Sequence, residues 1–276
     1  MTNGRPKLTD YRPGALFPPV SVTGSRCDEM CGHCRGEHLR HMVPAVTDEQ
    51  VLRTAENILR AGGKGMLLSG GCDVRGSVPL PSFAGTIRKV VDMGLEINVH
   101  AGFMTEDEAS ALVSAGVKEF SVDVHQDPVV IRSVLNLDRR PEDYCELLRT
   151  IIDAGGRPMP HITAGFGVLD LYNSALVVKD LGICSAVLLT LVPTKGTMFE
   201  ESFLTGSAIL DAVDMMRELG LDVILGCMRD RSIRSLEIDC IKHGVRKVAN
   251  MSRATLRWAE ENGFTVEVDN RCCLMG

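Results

Sequence analysis

The feature that most constrains this chain is a repeating alternation of short apolar runs with longer amphipathic stretches. The runs at 19–24, 64–69, 96–101, 119–124, 159–164, 185–191, 222–226 and 246–251 are mostly rich in Val, Ile, Leu or Ala and read as strands. Stretches at 48–60, 83–93, 105–115, 141–154, 207–219, 233–243 and 254–261 read as helices. Most exit through a glycine: Gly62, Gly94, Gly116, Gly155, Gly220, Gly244 and Gly263. Start signals agree, because Thr47 precedes Gln50 by three residues and Thr105 precedes Glu108 by three, the spacing of a capping box. Strand–helix units repeat roughly every 35 residues, so eight of them predict a single-domain (β/α)8 barrel of parallel strands over residues 1–276. Residues 264–276 form a tail expected to fold back over the barrel top. An open doubly wound sheet has the same local pattern, and the count of eight favours the barrel. Active sites in such barrels lie at the C-terminal strand ends, which makes the residues there the ones to read.

Composition narrows the class. Hydrophobic residues are 45% of the chain and charged residues 24%, the balance of a globular protein. Aromatics are only 4%, so the core must be built from Val, Ile, Leu, Met and Ala. The net charge of −6 and the lack of a basic run argue against nucleic acid as a partner. The first fourteen residues hold no apolar segment of the secretory kind, and the run at 186–192 is far too short to span a bilayer. No membrane partner is expected, and the expected location is the cytoplasm.

Ten cysteines are the most informative residues. Clustered cysteines in a cytoplasmic chain point to metal ligation or catalysis before disulfides. After the first predicted strand the chain reads Cys27-Asp-Glu-Met-Cys31-Gly-His-Cys34, a C-x3-C-x2-C spacing with no fourth cysteine nearby. Three thiolates this close can hold three irons of one cubane and leave the fourth iron open. Other readings stand beside it: a structural zinc site completed by His33, His38 or His41, a four-cysteine ferredoxin-like cluster, or three unrelated thiols.

This loop, placed after the first strand, resembles the signature of the radical S-adenosylmethionine (SAM) superfamily. The resemblance implies a [4Fe–4S] cluster on Cys27, Cys31 and Cys34 with SAM chelated to the open iron. It also implies reductive cleavage of SAM to a 5′-deoxyadenosyl radical, and an electron donor such as ferredoxin or flavodoxin. His33 departs from the aromatic that many members carry before the last cysteine. Ser69-Gly70-Gly71-Cys72, at the end of the second predicted strand, resembles the glycine-rich motif that holds the SAM amino group, with Cys72 replacing a glutamate; alone, Gly-Gly is a tight turn. Ser121 and Asp123 share one side of the fourth predicted strand. They resemble the ribose-binding station of biotin-synthase-like members, against the simpler reading of a polar pair lining the barrel. Pro193-Thr194-Lys195-Gly196-Thr197 resembles the segment where a strand of that branch leaves the barrel near the adenine. His100 and His161 are candidates for substrate contact, although a strand histidine is more often structural.

Of the remaining cysteines, Cys145, Cys184 and Cys240 are expected to be core residues. Cys72 and Cys227 fall at C-terminal strand ends, and Cys272 and Cys273 lie in the tail. Together they are candidate ligands of an auxiliary iron–sulfur cluster, with Arg229 beside it; separate core thiols or a redox-labile tail would leave the same pattern. The whole chain resembles the biotin-synthase branch, but it lacks the cysteines that hold that enzyme's inner cluster. The similarity therefore points to relatives that include subunits of two-component lipoyl synthases, which implies sulfur insertion, a second radical SAM subunit and a lipoyl-carrier protein as partners. A radical rearrangement or fragmentation in cofactor biosynthesis is the alternative reaction, and an iron–sulfur carrier is the non-enzymatic one.

Overall fold

The computed structural model describes residues 5–273. Each predicted strand overlaps an observed one. In chain order the elements are β1 (Lys7–Tyr11), β2 (Pro19–Ser21), β3 (Val43–Pro44), α1 (Asp48–Arg60), β4 (Gly65–Ser69), α2 (Ala84–Asp92), β5 (Glu96–Val99), α3 (Glu106–Ser114), β6 (Glu119–Asp123) and α4 (Pro141–Asp153). They continue with β7 (Arg157–Ala164), α5 (Val168–Asp180), β8 (Ser185–Thr190), α6 (Gly206–Glu218), β9 (Asp222–Leu225), α7 (Leu236–Lys242), β10 (Lys247–Ala249), α8 (Arg253–Glu261) and β11 (Thr265–Asp269). No described helix is long and apolar enough to cross a membrane.

The strands form one sheet with the order β11-β1-β10-β9-β8-β7-β6-β5-β4-β2-β3, and every pairing is parallel. This corrects the expectation of a closed eight-stranded barrel. The eight predicted strands do lie side by side in sequence order. However, the free edge of β10 is taken by β1, which then pairs with β11, while the free edge of β2 is taken by β3. With both edges occupied, β10 and β2 have no hydrogen bonds left to close on each other, and the sheet is a partial barrel.

Side chains alternate across the strands with the period of two that pleating imposes. On β8, Ala186 and Leu188 pack outward into the main core beneath the helices, while Val187 and Leu189 face the lumen. On β9, Val223 and Leu225 face out and Ile224 faces in. The inner apolar patch gathers Tyr11, Val187, Leu189, Ile224, Ala249 and Cys273. Across the lumen the wall is polar: Ile97, Val99, Phe120 and Val122 face the outer core, which leaves Asn98, Ser121 and Asp123 inside. Each fully buried Leu, Ile or Phe in the outer layer contributes roughly 1.5–3 kcal/mol, so the outer core carries most of the stability.

Helix ends follow local chemistry. The Thr105 hydroxyl accepts from Glu108 N at 3.3 Å, and Glu108 Oε2 accepts from Thr105 N at 2.8 Å, a reciprocal box. At α1, Thr47 accepts from Gln50 N at 3.3 Å, but the Gln50 side chain reaches Val46 N instead, at 2.7 Å. The seven predicted helices omit α5. It starts from Gly167 without a capping side chain, and Val168 and Leu169 at its start are exposed, so apolar residues sit on both faces and blur the period. Cys184 also differs from expectation. It is exposed one residue before β8, in the turn after α5, whereas Cys240 is fully buried in α7 and Cys145 is half-buried in α4.

Arg229, expected beside an auxiliary cluster, acts on the Cys227 thiol and spends its guanidinium on a buried network. It donates to Glu237 at 2.5 Å, to Ala249 O at 2.8 Å and to Gly226 O. Glu237 also accepts from Thr255 Oγ1 at 2.6 Å and Ser252 N at 2.7 Å, so the pair ties the end of β9 to α7 and α8. Removing one partner of a buried ion pair strands the other charge. Glu237→Ala should therefore destabilise the protein by about 3 kcal/mol, read as a lower urea midpoint at unchanged slope.

Candidate functional site

The cysteine loop follows β2 and turns tightly. Met30, Arg35 and Gly36 all have positive φ, at 47°, 46° and 75°. Within the turn, Cys31 O accepts from Cys34 N at 3.2 Å and from Arg35 N at 2.9 Å. Neighbouring loops clamp it from several sides. Cys72 O accepts from Asp28 N at 2.8 Å, and Val134 O accepts from Gly32 N at 2.5 Å. Gly32 O accepts from Met198 N at 2.9 Å, and Arg35 Nη1 donates to Gly196 O at 2.9 Å. Asn136 Nδ2 donates to Met30 O at 2.9 Å and to Glu29 O at 3.1 Å. The loop is thus held by the segments after β4, β6 and β8, and the Pro193–Thr197 region predicted to lie near a nucleoside docks directly on it.

Cys31 Sγ, Cys34 Sγ and a ring nitrogen of His33 lie within 4.8 Å of one another. A hydrogen bond from Cys31, helped by His33, holds the Cys34 thiol down at about 4. The Cys31 thiol moves the opposite way, pushed up by that same bond, by burial and by Glu29, whose Oε1 accepts from Cys31 Sγ at 2.9 Å. One thiolate is therefore already favoured in the pair, the form in which sulfur binds metal. Cys27 lies against Gly36 and Gly71. His33 packs edge-on against Phe166, with ring centroids 5.4 Å apart. His38 sits 6.2 Å from His33, and His41 is exposed.

Gly71 shows why the glycine pair is needed. A Cβ there would stand 2.1 Å from Arg26 O and 2.6 Å from Cys27 Cα. The backbone of the cysteine loop passes over it, so the close approach is first of all protein on protein. Thr23 Oγ1 fixes the crossing by accepting from Gly71 N at 2.7 Å, and Ser69 Oγ donates to His100 O at 2.9 Å. A half-open cleft of about 540 Å³ lies beside this crossing, lined by Thr23, Arg26, Gly71, Cys72, Asp73 and Arg75 among others.

Ser121 and Asp123 share the lumen face, as the alternation requires, but they do different things. Ser121 is buried and bonded to Asn98, with Oγ 3.0 Å from Nδ2 and 3.2 Å from Oδ1. Asp123 opens to the lumen with 47% of its side chain accessible. Its carboxylate lies 3.2 Å from His100 Nε2 and 3.8 Å from His161 Nδ1. Its enclosed position opposes ionisation, but the two imidazoles outweigh that and hold its carboxyl well below the usual range. Burial pushes His161 down to about 4, while Asp123 lifts His100 above its ordinary value against its own burial.

The four other candidate thiols divide into two places. Cys72 faces Glu29 and Cys27, and burial pushes its thiol up. Cys227, Cys272 and Cys273 share the lumen. Cys273 is buried in the inner apolar patch, and its hydrogen bond with Cys272, burial and the nearness of Cys227 raise its thiol. Cys272 Sγ is 3.6 Å from Asn98 Nδ2. In the tail, β11 extends the sheet and residues 271–273 turn into the lumen, while 274–276 lie outside the described residues. Sequence reasoning missed Glu29 and Asn136, which carry no pattern of their own. It also missed Asp170, whose Oδ2 lies 3.0 Å from His125 Nδ1 and whose Oδ1 accepts from Gln126 N and Asp127 N at 2.6 and 2.9 Å.

Comparison with known proteins places this geometry. The profile of the radical SAM superfamily matches residues 21–171. Biotin synthase of Prochlorococcus marinus (strain MIT 9211) is 28% identical over 136 residues, 48% of this chain and 37% of that protein. Biotin synthase of Vibrio cholerae serotype O1 (strain ATCC 39315 / El Tor Inaba N16961) is 25% identical over 190 residues, 66% of this chain and 54% of that protein. The chain thus spans about half the length, or less, of these curated relatives. Methylornithine synthase superposes with a TM-score of 0.65 at 15% identity, covering 95% of this chain and 84% of that one. The FeFe-hydrogenase maturase HydG from Carboxydothermus hydrogenoformans gives 0.66 at 15% identity, covering 95% and 68%. At such identities the structures speak for the fold alone. The profile match takes in the cysteine loop and more than half of the sequence, and on that ground the chain belongs to the radical SAM superfamily.

Proposed function

We propose that this chain cleaves SAM reductively and uses the product for C–H activation leading to sulfur insertion, in the manner of lipoyl synthase. The observation that carries the first part is the cysteine loop, with the Cys31 and Cys34 sulfurs within 4.8 Å of each other and Cys27 in the same loop, its backbone passing over Gly71. These residues fit a [4Fe–4S] cluster: the donor set is sulfur, one thiolate is already favoured, and the loop is fixed by bonds from three other segments. A [4Fe–4S] cluster held on Cys27, Cys31 and Cys34 would supply the electron, taken from the donor protein, for reductive cleavage of SAM.

The protein's own residues then have distinct tasks. Gly70 and Gly71 let the end of β4 flank the loop, which is the proposed seat of the SAM amino group. His33 and Phe166, with Thr163, Thr190 and Met228, wall the small space toward β7–β9, on the side where the nucleoside would lie. Glu29 and Cys72 close the loop from the β4 side.

Sulfur insertion rests on Cys227, Cys272 and Cys273, which are neighbours. We assign them, without Cys72, to an auxiliary cluster. The similarity to biotin synthases supports sulfur chemistry, and the proposed partners are a ferredoxin or flavodoxin, a second radical SAM subunit and a lipoyl-carrier protein. One observation favours the alternative reaction, a rearrangement or fragmentation: Cys273 packs as an ordinary apolar side chain among Tyr11, Val187 and Ile224.

Iron analysis after anaerobic reconstitution separates the two. The sulfur-insertion reading expects about eight irons per chain, falling to about four in Cys272→Ala/Cys273→Ala, whereas about four in the unaltered chain selects the alternative. Cys31→Ala should abolish 5′-deoxyadenosine formation from SAM and dithionite; undiminished formation would exclude the whole reading. Gly71→Ala pushes on the Cys27 backbone and should lower 5′-deoxyadenosine yield on the order of 100-fold, with reduced iron content.

A further inference from the structure

The polar wall of the lumen carries one arrangement that the proposed reaction does not use. His100 follows β5, Asp123 ends β6, and His161 lies on β7 in direct register with Asp123. Three adjacent parallel strands therefore present two imidazoles and a carboxylate at one level. One ligand atom from each lies within 4.8 Å of the other two. The closest approaches are 3.2 Å from Asp123 to His100 and 3.8 Å from Asp123 to His161.

The hydrogen bonding of this trio is incomplete. His161 Nδ1 is buried and has no hydrogen-bond partner among the described residues. Its distance of 3.8 Å from the carboxylate is an ion-pair contact, too long for a hydrogen bond. Among the described residues, the two imidazoles are the only groups within ion-pair distance of the Asp123 carboxylate. The buried His161 Nδ1 therefore has an unfilled bonding position on the side of the Asp123 carboxylate. Beneath it, the mutually bonded Asn98 and Ser121 form a closed floor, so an occupant enters from the lumen.

We propose that His100, Asp123 and His161 form a mononuclear site for a divalent first-row transition ion. Two ligand atoms that each stand about 2.0–2.2 Å from one ion lie roughly 3–3.5 Å apart. The Asp123–His100 separation is already in that range, and with no pair of ligand atoms more than 4.8 Å apart the remaining closure falls to His161. Two neutral imidazole nitrogens and one carboxylate, with the remaining positions open, are a donor set such ions accept. The open positions face the lumen, where a carboxylate, amine or thiol of the substrate can complete the shell. The ion would thus be a substrate anchor, separate from the cysteine loop, and it assigns Asp123 to metal in place of a ribose.

The test uses the anaerobically reconstituted protein, exposed to Co(II), desalted and analysed for metal and by cobalt K-edge X-ray absorption. The expected result is about one retained cobalt per chain in a nitrogen/oxygen shell near 2.1 Å. His100→Gln/His161→Gln should lose that cobalt while iron content and circular dichroism stay unchanged, and His243→Gln should keep it. No retained cobalt, a sulfur shell near 2.3 Å, or full retention by the double variant would overturn the proposal. The absorption result on the unaltered protein decides the matter even if the double variant does not fold. Iron content and 5′-deoxyadenosine yield are read separately, so a failure of the cluster assignment is not mistaken for a failure here.

Discussion

The structure depends on the two-residue alternation of its parallel strands. Each central strand sends one set of side chains outward under the helices and the other set into the lumen. Because the outer set is almost wholly apolar, the stability of the molecule is carried outside the sheet. The inner set is then free to be chemical. It is apolar on β8–β10 and polar on β5 and β6, with His161 and Thr163 continuing the polar side on β7. A lumen divided in this way offers a greasy wall and a charged wall to whatever occupies it.

The cysteine loop shows a second division of labour. Its sequence supplies the sulfurs, but its shape comes from elsewhere. Val134, Asn136, Cys72 and Met198, spread over more than a hundred residues, fix its backbone, and Gly196 holds the Arg35 side chain. Three residues of the loop sit at positive φ, a conformation two of them, Met30 and Arg35, would not choose alone. The surrounding bonds over-determine that conformation, as is common where a segment is shaped for a ligand. Glu29 and His33 then bias the two sulfurs in opposite directions, so the loop is electrostatically uneven before any metal arrives.

Much of this was legible in the sequence because it is local. The strand runs, helix exits and caps depend on neighbours within a few residues, and the C-x3-C-x2-C spacing speaks for itself. The shared face of Ser121 and Asp123 follows from pleating alone. What could not be read depends on distant pairing. Strands β1, β3 and β11 are short or lack a clean apolar alternation, and only their registers reveal that they extend the sheet beyond β10 and β2, the edges a closed barrel would need free. That Ser121 is spent on Asn98 while Asp123 faces two histidines depends on β5, β6 and β7 lying side by side in one register. The separation of Cys72 from the lumen thiols and the exposure of Cys184 likewise follow from positions in space that no spacing encodes.

The unclosed side of the sheet has a mechanical consequence. Strand β11 is held on one side only, by β1, and its last register pair is Tyr11 with Asp269. Three residues later comes Cys272, already inside the lumen beside Asn98. The edge strand is therefore a short tether, and whatever peels it from β1 must draw both terminal thiols out together. Sulfur at the heart of the molecule is moored to a strand at the margin of the sheet.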